Sequence, residues 1–143
     1  MPLHLKRILK REIRNRQEIG GANSAIVLVG RESTEAVLSE LRKTIPLMDR
    51  VKYDFILKRD HAVVSLLSSS AGKFALGFGA LSNFDERNII KIEGREMGMP
   101  LGLVYDLKNR DEAIIRAAID YANSADWQKK VRNAGYGEPG SSR

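Results

Sequence analysis

The chain has 143 residues, enough for one compact domain that buries on the order of 70% of its unfolded surface. Its 43% hydrophobic and 29% charged residues exclude wholesale disorder, and its lack of cysteine excludes disulfides and thiolate metal sites. No run of about 18 apolar residues occurs and the N-terminus lacks a signal peptide's apolar core, so the sequence predicts a soluble chain with no membrane span. The chain is then either cytosolic or a piece whose export signal lies outside it.

A net charge of +6 favours an anionic partner, and much of the excess sits in Lys6, Arg7, Lys10, Arg11, Arg14 and Arg16. These flank an apolar stripe of Leu5, Ile8, Leu9 and Ile13, which predicts a basic amphipathic helix over about 3–17. Such a helix can lie on a membrane, along nucleic acid, or against its own domain with a solvated outer face. The last reading is the simplest. Sparse aromatics, not interleaved with the charges, argue against a base-stacking surface and so against nucleic acid as a partner.

Ala25–Val29 reads as a buried parallel-type strand bounded by Gly21 and Gly30. Val37, Leu38, Leu41 and Ile45 mark one face of a helix over about 33–44, with Pro46 just past its end. Tyr53–Leu57 predicts a short strand, and Asp60 a cap for a helix whose inner face is Val63, Val64 and Leu67 and which ends near Gly72. Phe74–Phe78, Ile89–Ile92 and Leu101–Tyr105 read as three further strands, with irregular chain over 79–86. Asn109 and Glu112 form a capping-box-like start to a helix with Ile115, Ala118, Ile119 and Ala122 inward. Ser124 caps a last helix stopped by Gly135 and Pro139. The alternation predicts an α/β domain with a mostly parallel sheet flanked by helices.

The turn between the first strand and its helix is the best candidate site. A helix start offers unpaired backbone N–H groups and a positive dipole end, and Arg31, Ser33 and Thr34 there can complete a small oxyanion site. Glu32 sets a carboxylate beside it, which opposes an anion. The plainer alternative makes Ser33 an N-cap and Arg31 a surface charge. Ser68-Ser69-Ser70 lies at a helix exit, where carbonyls repel anions. His4 and His61 have no ligand spacing with acidic partners, no nucleophile elbow, Walker A or dinucleotide signature is present, and the carboxylates form no general acid–base pair. The residues thus point to a non-enzymatic protein with no metal and no cofactor.

Leu5, Ile8, Ile13, Asn15, Glu18-Ile19-Gly20-Gly21, Ile26–Val29, Arg31 and Ser33-Thr34 follow one another in an order and spacing that resemble the phosphate-specific substrate-binding proteins of ABC transporters. Ala75-Leu76-Gly77-Phe78-Gly79 with Leu81-Ser82, Met99-Pro100-Leu101 with Leu103-Val104-Tyr105, and Tyr121–Ser124 with Gln128, Ala134-Gly135-Tyr136 and Pro139 extend the likeness to most of the chain. The resemblance implies the two-lobed type 2 periplasmic-binding-protein fold, of which this chain matches only the second lobe and the C-terminal return segment, the first lobe being largely missing. It divides the chain into a lobe-two-like segment over 1–80 carrying the anion-loop remnant, return strands and two closing helices over 81–136, and a polar tail over 137–143.

That family's anion loop reads Arg-x-x-x-Ser-Gly-Thr. Here only Glu32 and Ser33 separate Arg31 from Thr34, so the interval is shorter and the glycine is gone. The resemblance therefore implies weak binding of inorganic phosphate or a similar oxyanion at Arg31, Ser33 and Thr34, a transporter permease as a partner, and a periplasmic or extracellular location. The alternative is a degenerate receptor lobe that has become a dimerisation or partner-docking module. A homodimer or a partner supplying the missing lobe would then cover Leu101–Tyr105 and the last helices.

Overall fold

The computed structural model of the chain describes residues 1–84, 89–90, 98 and 102–137. These divide into two compact units, Met1–Met97 and Gly98–Arg143.

The first unit is built on a parallel sheet of β1 (Val27–Arg31), β2 (Phe55–Leu57) and β3 (Ala75–Leu76), in the order β2-β1-β3. Parallel neighbours cannot be joined by a hairpin and need a crossover. Helix α2 (Ala36–Thr44) with the 3-10 turn Pro46–Arg50 supplies the first, and α3 (Asp60–Ser68) the second. The register sets Val29 opposite Phe55, Arg31 opposite Leu57 and Val27 opposite Ala75. Strand order turns at β1, and its C-terminal end is where ligands of open α/β sheets bind.

Alternation along β1 sends Leu28 into a core with Ile8, Ile13, Leu38, Ile45 and Met48. Val29 turns to the other face, where a Cβ added at Gly77 would meet both Val29 and Val63. Gly30 lies against the ring of Tyr53: a Cβ there would stand 2.5 Å from the ring. Only glycine permits that approach, one residue before Arg31.

The fold is α/β with a mostly parallel sheet, as the alternation of elements predicts. Several boundaries differ. The single helix expected over 3–17 is broken. Helix α1 covers Leu3–Leu9 and a separate 3-10 turn covers Arg16–Ile19. The break is a left-handed residue, Arg11 at φ 63°, with Arg11 N–H on the Ile8 carbonyl and Glu12 N–H on the Arg7 carbonyl. This is a Schellman stop with arginine in the usual glycine position. The Asn15-x-x-Glu18 segment is a capping box. The Asn15 side chain accepts from Gln17 N–H at 2.9 Å, and Glu18 Oε1 accepts from Asn15 N–H at 2.8 Å. Gly20, at φ 82°, ends the turn in the left-handed region that glycine enters without penalty.

Downstream, β1 begins two residues later than expected, and Ala25 instead forms an isolated antiparallel bridge with Asn15. Strands β2 and β3 are shorter than the runs 53–57 and 74–78. Ile89 and Ile90 take no regular structure, and 91–92 lie outside the described residues.

In the second unit, α4 (Ala113–Ala122) and α5 (Ala125–Asn133) are joined through Ser124, whose side chain caps α5 at Trp127 N–H. Asn109 and Glu112 do not form a capping box. Asn109 ends a 3-10 turn capped by Asp106, and Glu112 precedes α4 with no side-chain cap bond. Ile115, Ala118, Ile119 and Ala122 are half-buried along one side of α4, as their spacing predicts. Residues 102–105 form no strand, contrary to expectation, because no partner strand lies beside them among the described residues. Leu101 itself lies outside the described residues.

Candidate functional site

Arg31 is the last residue of β1 and the one charged side chain among the described residues that is buried, at 8% exposure. Burying a guanidinium requires that its donors be satisfied. Nε donates to the Leu57 carbonyl at 3.0 Å and to Glu32 Oε2 at 3.0 Å, and Nη2 to Glu32 Oε1 at 3.2 Å. Nη2 also reaches the Lys58 carbonyl at 3.4 Å, and Nη1 donates to the carboxylate of Asp60. Register explains the carbonyls: Arg31 is paired with Leu57, so its side chain crosses the end of β2. The Arg31 guanidinium holds the Glu32 carboxyl below the usual carboxylate range.

The helix start is also engaged. Helix α2 is capped by Glu35, whose carboxylate accepts from Val37 N–H at 2.9 Å and Leu38 N–H at 2.7 Å. Ser33 is therefore not the N-cap, and the helix opens three residues later than expected, at Ala36. Ser33 and Thr34 are exposed, and their hydroxyls make no hydrogen bond among the described residues. The Ser33 carbonyl accepts from Arg42 Nη1 at 2.7 Å, tying the turn to α2. Likewise, Asp60 is the first residue of α3 rather than its cap, and its carboxylate turns to Arg31.

Arg31, Ser33 and Thr34 thus sit together at the C-terminal end of the central strand. Asp60 joins Arg31 there and Glu35 caps the adjoining helix, and neither role was recognised in the sequence. Glu35 was masked by Ser33 and Thr34, which are better N-cap types than glutamate, and Asp60 read as a helix cap with nothing local to tie it to Arg31. An open depression lined by Arg59, Asp60, His61, Val64, Ser65 and Asn83 adjoins the cluster on the α3 side. Among the described residues no group of three or more His, Asp or Glu side chains could hold a metal ion. Ser69, in the serine run, closes the exit of α3: its Oγ donates to the Leu66 carbonyl at 2.7 Å and accepts from Gly72 N–H at 3.2 Å.

Solved structures share the fold around this strand end. A protein from Clostridium perfringens, described as a phosphate ABC transporter substrate-binding protein and solved with bound phosphate, superposes with a TM-score of 0.72 at 20% identity, over 92% of this chain and 59% of its own. The chain shares its fold with part of that structure. An ABC-type phosphate transport receptor from Vibrio cholerae gives a TM-score of 0.58 at 18% identity, over 95% of this chain and 62% of its own. PstS from Borrelia burgdorferi gives 0.52 at 17%, over 92% and 60%. The chain spans about 60% of the length of these receptor structures, which are periplasmic-binding-protein folds matched only in part. No family model and no curated protein matches it.

Proposed function

We propose that the chain is a non-enzymatic module of the solute-binding-protein type that takes phosphate or a similar oxyanion weakly at Arg31, Ser33 and Thr34, as part of ABC-type phosphate uptake. The observation that carries this reading is the buried Arg31 guanidinium at the C-terminal end of the central strand, within a fold shared with phosphate receptors. Arg31 would give the charge-assisted, fork-like contact to the anion. The Ser33 and Thr34 hydroxyls, exposed and without a hydrogen-bond partner among the described residues, would add neutral donors. A periplasmic or extracellular setting and a permease partner go with the same reading. Titration of the labelled chain with inorganic phosphate, followed by amide chemical shifts, tests it. Shifts should concentrate at residues 31–34; no shift there at tens of millimolar phosphate removes the binding claim.

A second reading rests on the Gly98–Arg143 unit. Val104, Leu107 and Ile114 are 94%, 76% and 74% exposed, and neither α4 nor α5 has a buried residue. Uncovered apolar area of this kind is a mark of association surfaces. In this reading the chain docks to a second copy or to a polypeptide that completes the receptor fold, without a ligand. Sedimentation velocity from micromolar to hundreds of micromolar separates self-association from a monomer.

A further inference from the structure

We propose that the oxyanion site is self-occupied: Glu32 and Asp60 lie on Arg31 as built-in competitors, and an external anion enters only by displacing them. This deepens the reading of Arg31, Ser33 and Thr34 as an anion site and rests on it.

The Arg31 donors that a tetrahedral oxyanion would use at this strand end already face carboxylates of the chain. The two Glu32 oxygens take Nε and Nη2 of Arg31 in a fork, and Asp60 takes Nη1. Glu35 takes the amides of Val37 and Leu38 in the first turn of α2. Two planar carboxylates on the guanidinium and a third on the helix amides reproduce, from within the chain, the contacts of one bound anion. Ser33 and Thr34 are left over: their hydroxyls face solvent without a partner among the described residues.

The three carboxylates are not equally fixed. Glu35 is the N-cap of α2 and holds the helix in place. Asp60 is half-exposed at 50% and stands in the first turn of α3, where a negative charge stays favourable after it leaves Arg31. It also borders the open depression beside the site, so it has room to swing out. Glu32 is 36% exposed, and its carboxylate meets Arg31 through the guanidinium fork. Asp60 and Glu32 are therefore the movable plugs and Glu35 the fixed one. The plugs make anion affinity low in the resting chain and make it depend on two named carboxylates.

Calorimetric titration of the full chain with inorganic phosphate tests this on the unmodified protein, Asp60→Asn, Glu32→Gln/Asp60→Asn, and the double variant with Arg31→Gln added. Each neutralised carboxylate should tighten phosphate binding by about tenfold, the scale of one charge contact within a partly desolvated site. Removal of Arg31 should abolish the gain. Asp60→Asn keeps the Glu32 fork and so keeps Arg31 paired, which leaves a folded variant to read even if the double one unfolds. Unchanged affinity in Asp60→Asn, or a gain that survives the loss of Arg31, overturns the proposal. Binding by the unmodified chain with no gain in the variants would overturn the plugs and leave the anion-site reading standing. A gain in the variants with none in the unmodified chain would support the plugs and remove native phosphate binding.

Discussion

The Nη1 of Arg31 donates to the carboxylate of Asp60, joining the last residue of the central strand to the first residue of α3. With the Leu57 and Lys58 carbonyls, this contact ties the ends of β1 and β2 to the start of the second crossover. Replacing Arg31 with Gln leaves Glu32 and Asp60 free to hydrate, since both are partly exposed, but orphans the carbonyl contacts. We expect a loss of about 1–3 kcal/mol in unfolding free energy, read from urea denaturation at unchanged slope.

A second clamp lies at the other end of the sheet. The Arg11 side chain donates to the Lys52 carbonyl at 2.7 and 3.1 Å and pairs with Asp54 at 2.7 Å, while Asp54 also accepts from Leu28 N–H at 2.7 Å. It does so from a left-handed backbone that costs a residue with a Cβ about 1 kcal/mol. Arg11→Gly should therefore be less destabilising than Arg11→Ala by about 1 kcal/mol, although glycine is usually the worse replacement. Equal melting curves for the two variants would contradict the role of the backbone.

Two carboxylates predict an acid limb. Glu18 is lowered from 4.5 by the N–H groups of Arg14 and Asn15. Burial acts to raise Asp54, but the Leu28 N–H and the Arg11 guanidinium more than offset it and hold it below 3.8. Both groups bind protons more readily in the unfolded chain, so their stabilisation is complete above about pH 5 and is lost as pH falls through the lowered values. Urea midpoints should drop on acidification below that point, and the drop should be smaller in Glu18→Gln and Asp54→Asn.

Gly30→Ala would drive a methyl into the Tyr53 ring next to the site. Overpacking of this kind costs about 1–3 kcal/mol, and the ring must move before β1 can keep its register. Thermal melting of Gly30→Ala, compared with Gly30→Ala/Tyr53→Leu, should show recovery in the double variant.

Much of this architecture was legible in the sequence because it is local. The apolar run at 26–29, the 37, 38, 41, 45 spacing and Ser124 each report their element directly, and each element is present. What stayed hidden is non-local or rare. Nothing marks Arg11 as left-handed, since the residue is neither glycine nor asparagine, so the first helix read as unbroken. Asp60 carried the signature of a cap, and only the parallel pairing of β1 with β2 brings it onto Arg31 across 29 positions. Residues 102–105 of the strand expected over 101–105 are irregular for the opposite reason: strand propensity with no neighbour among the described residues makes no ladder.

The central claim, an oxyanion site at Arg31, is tested most directly by isothermal titration of the full chain with inorganic phosphate, run beside Arg31→Gln. A saturating, salt-sensitive heat in the millimolar range that disappears in Arg31→Gln is the predicted result. No heat up to tens of millimolar, or an isotherm that Arg31→Gln leaves unchanged, would contradict it.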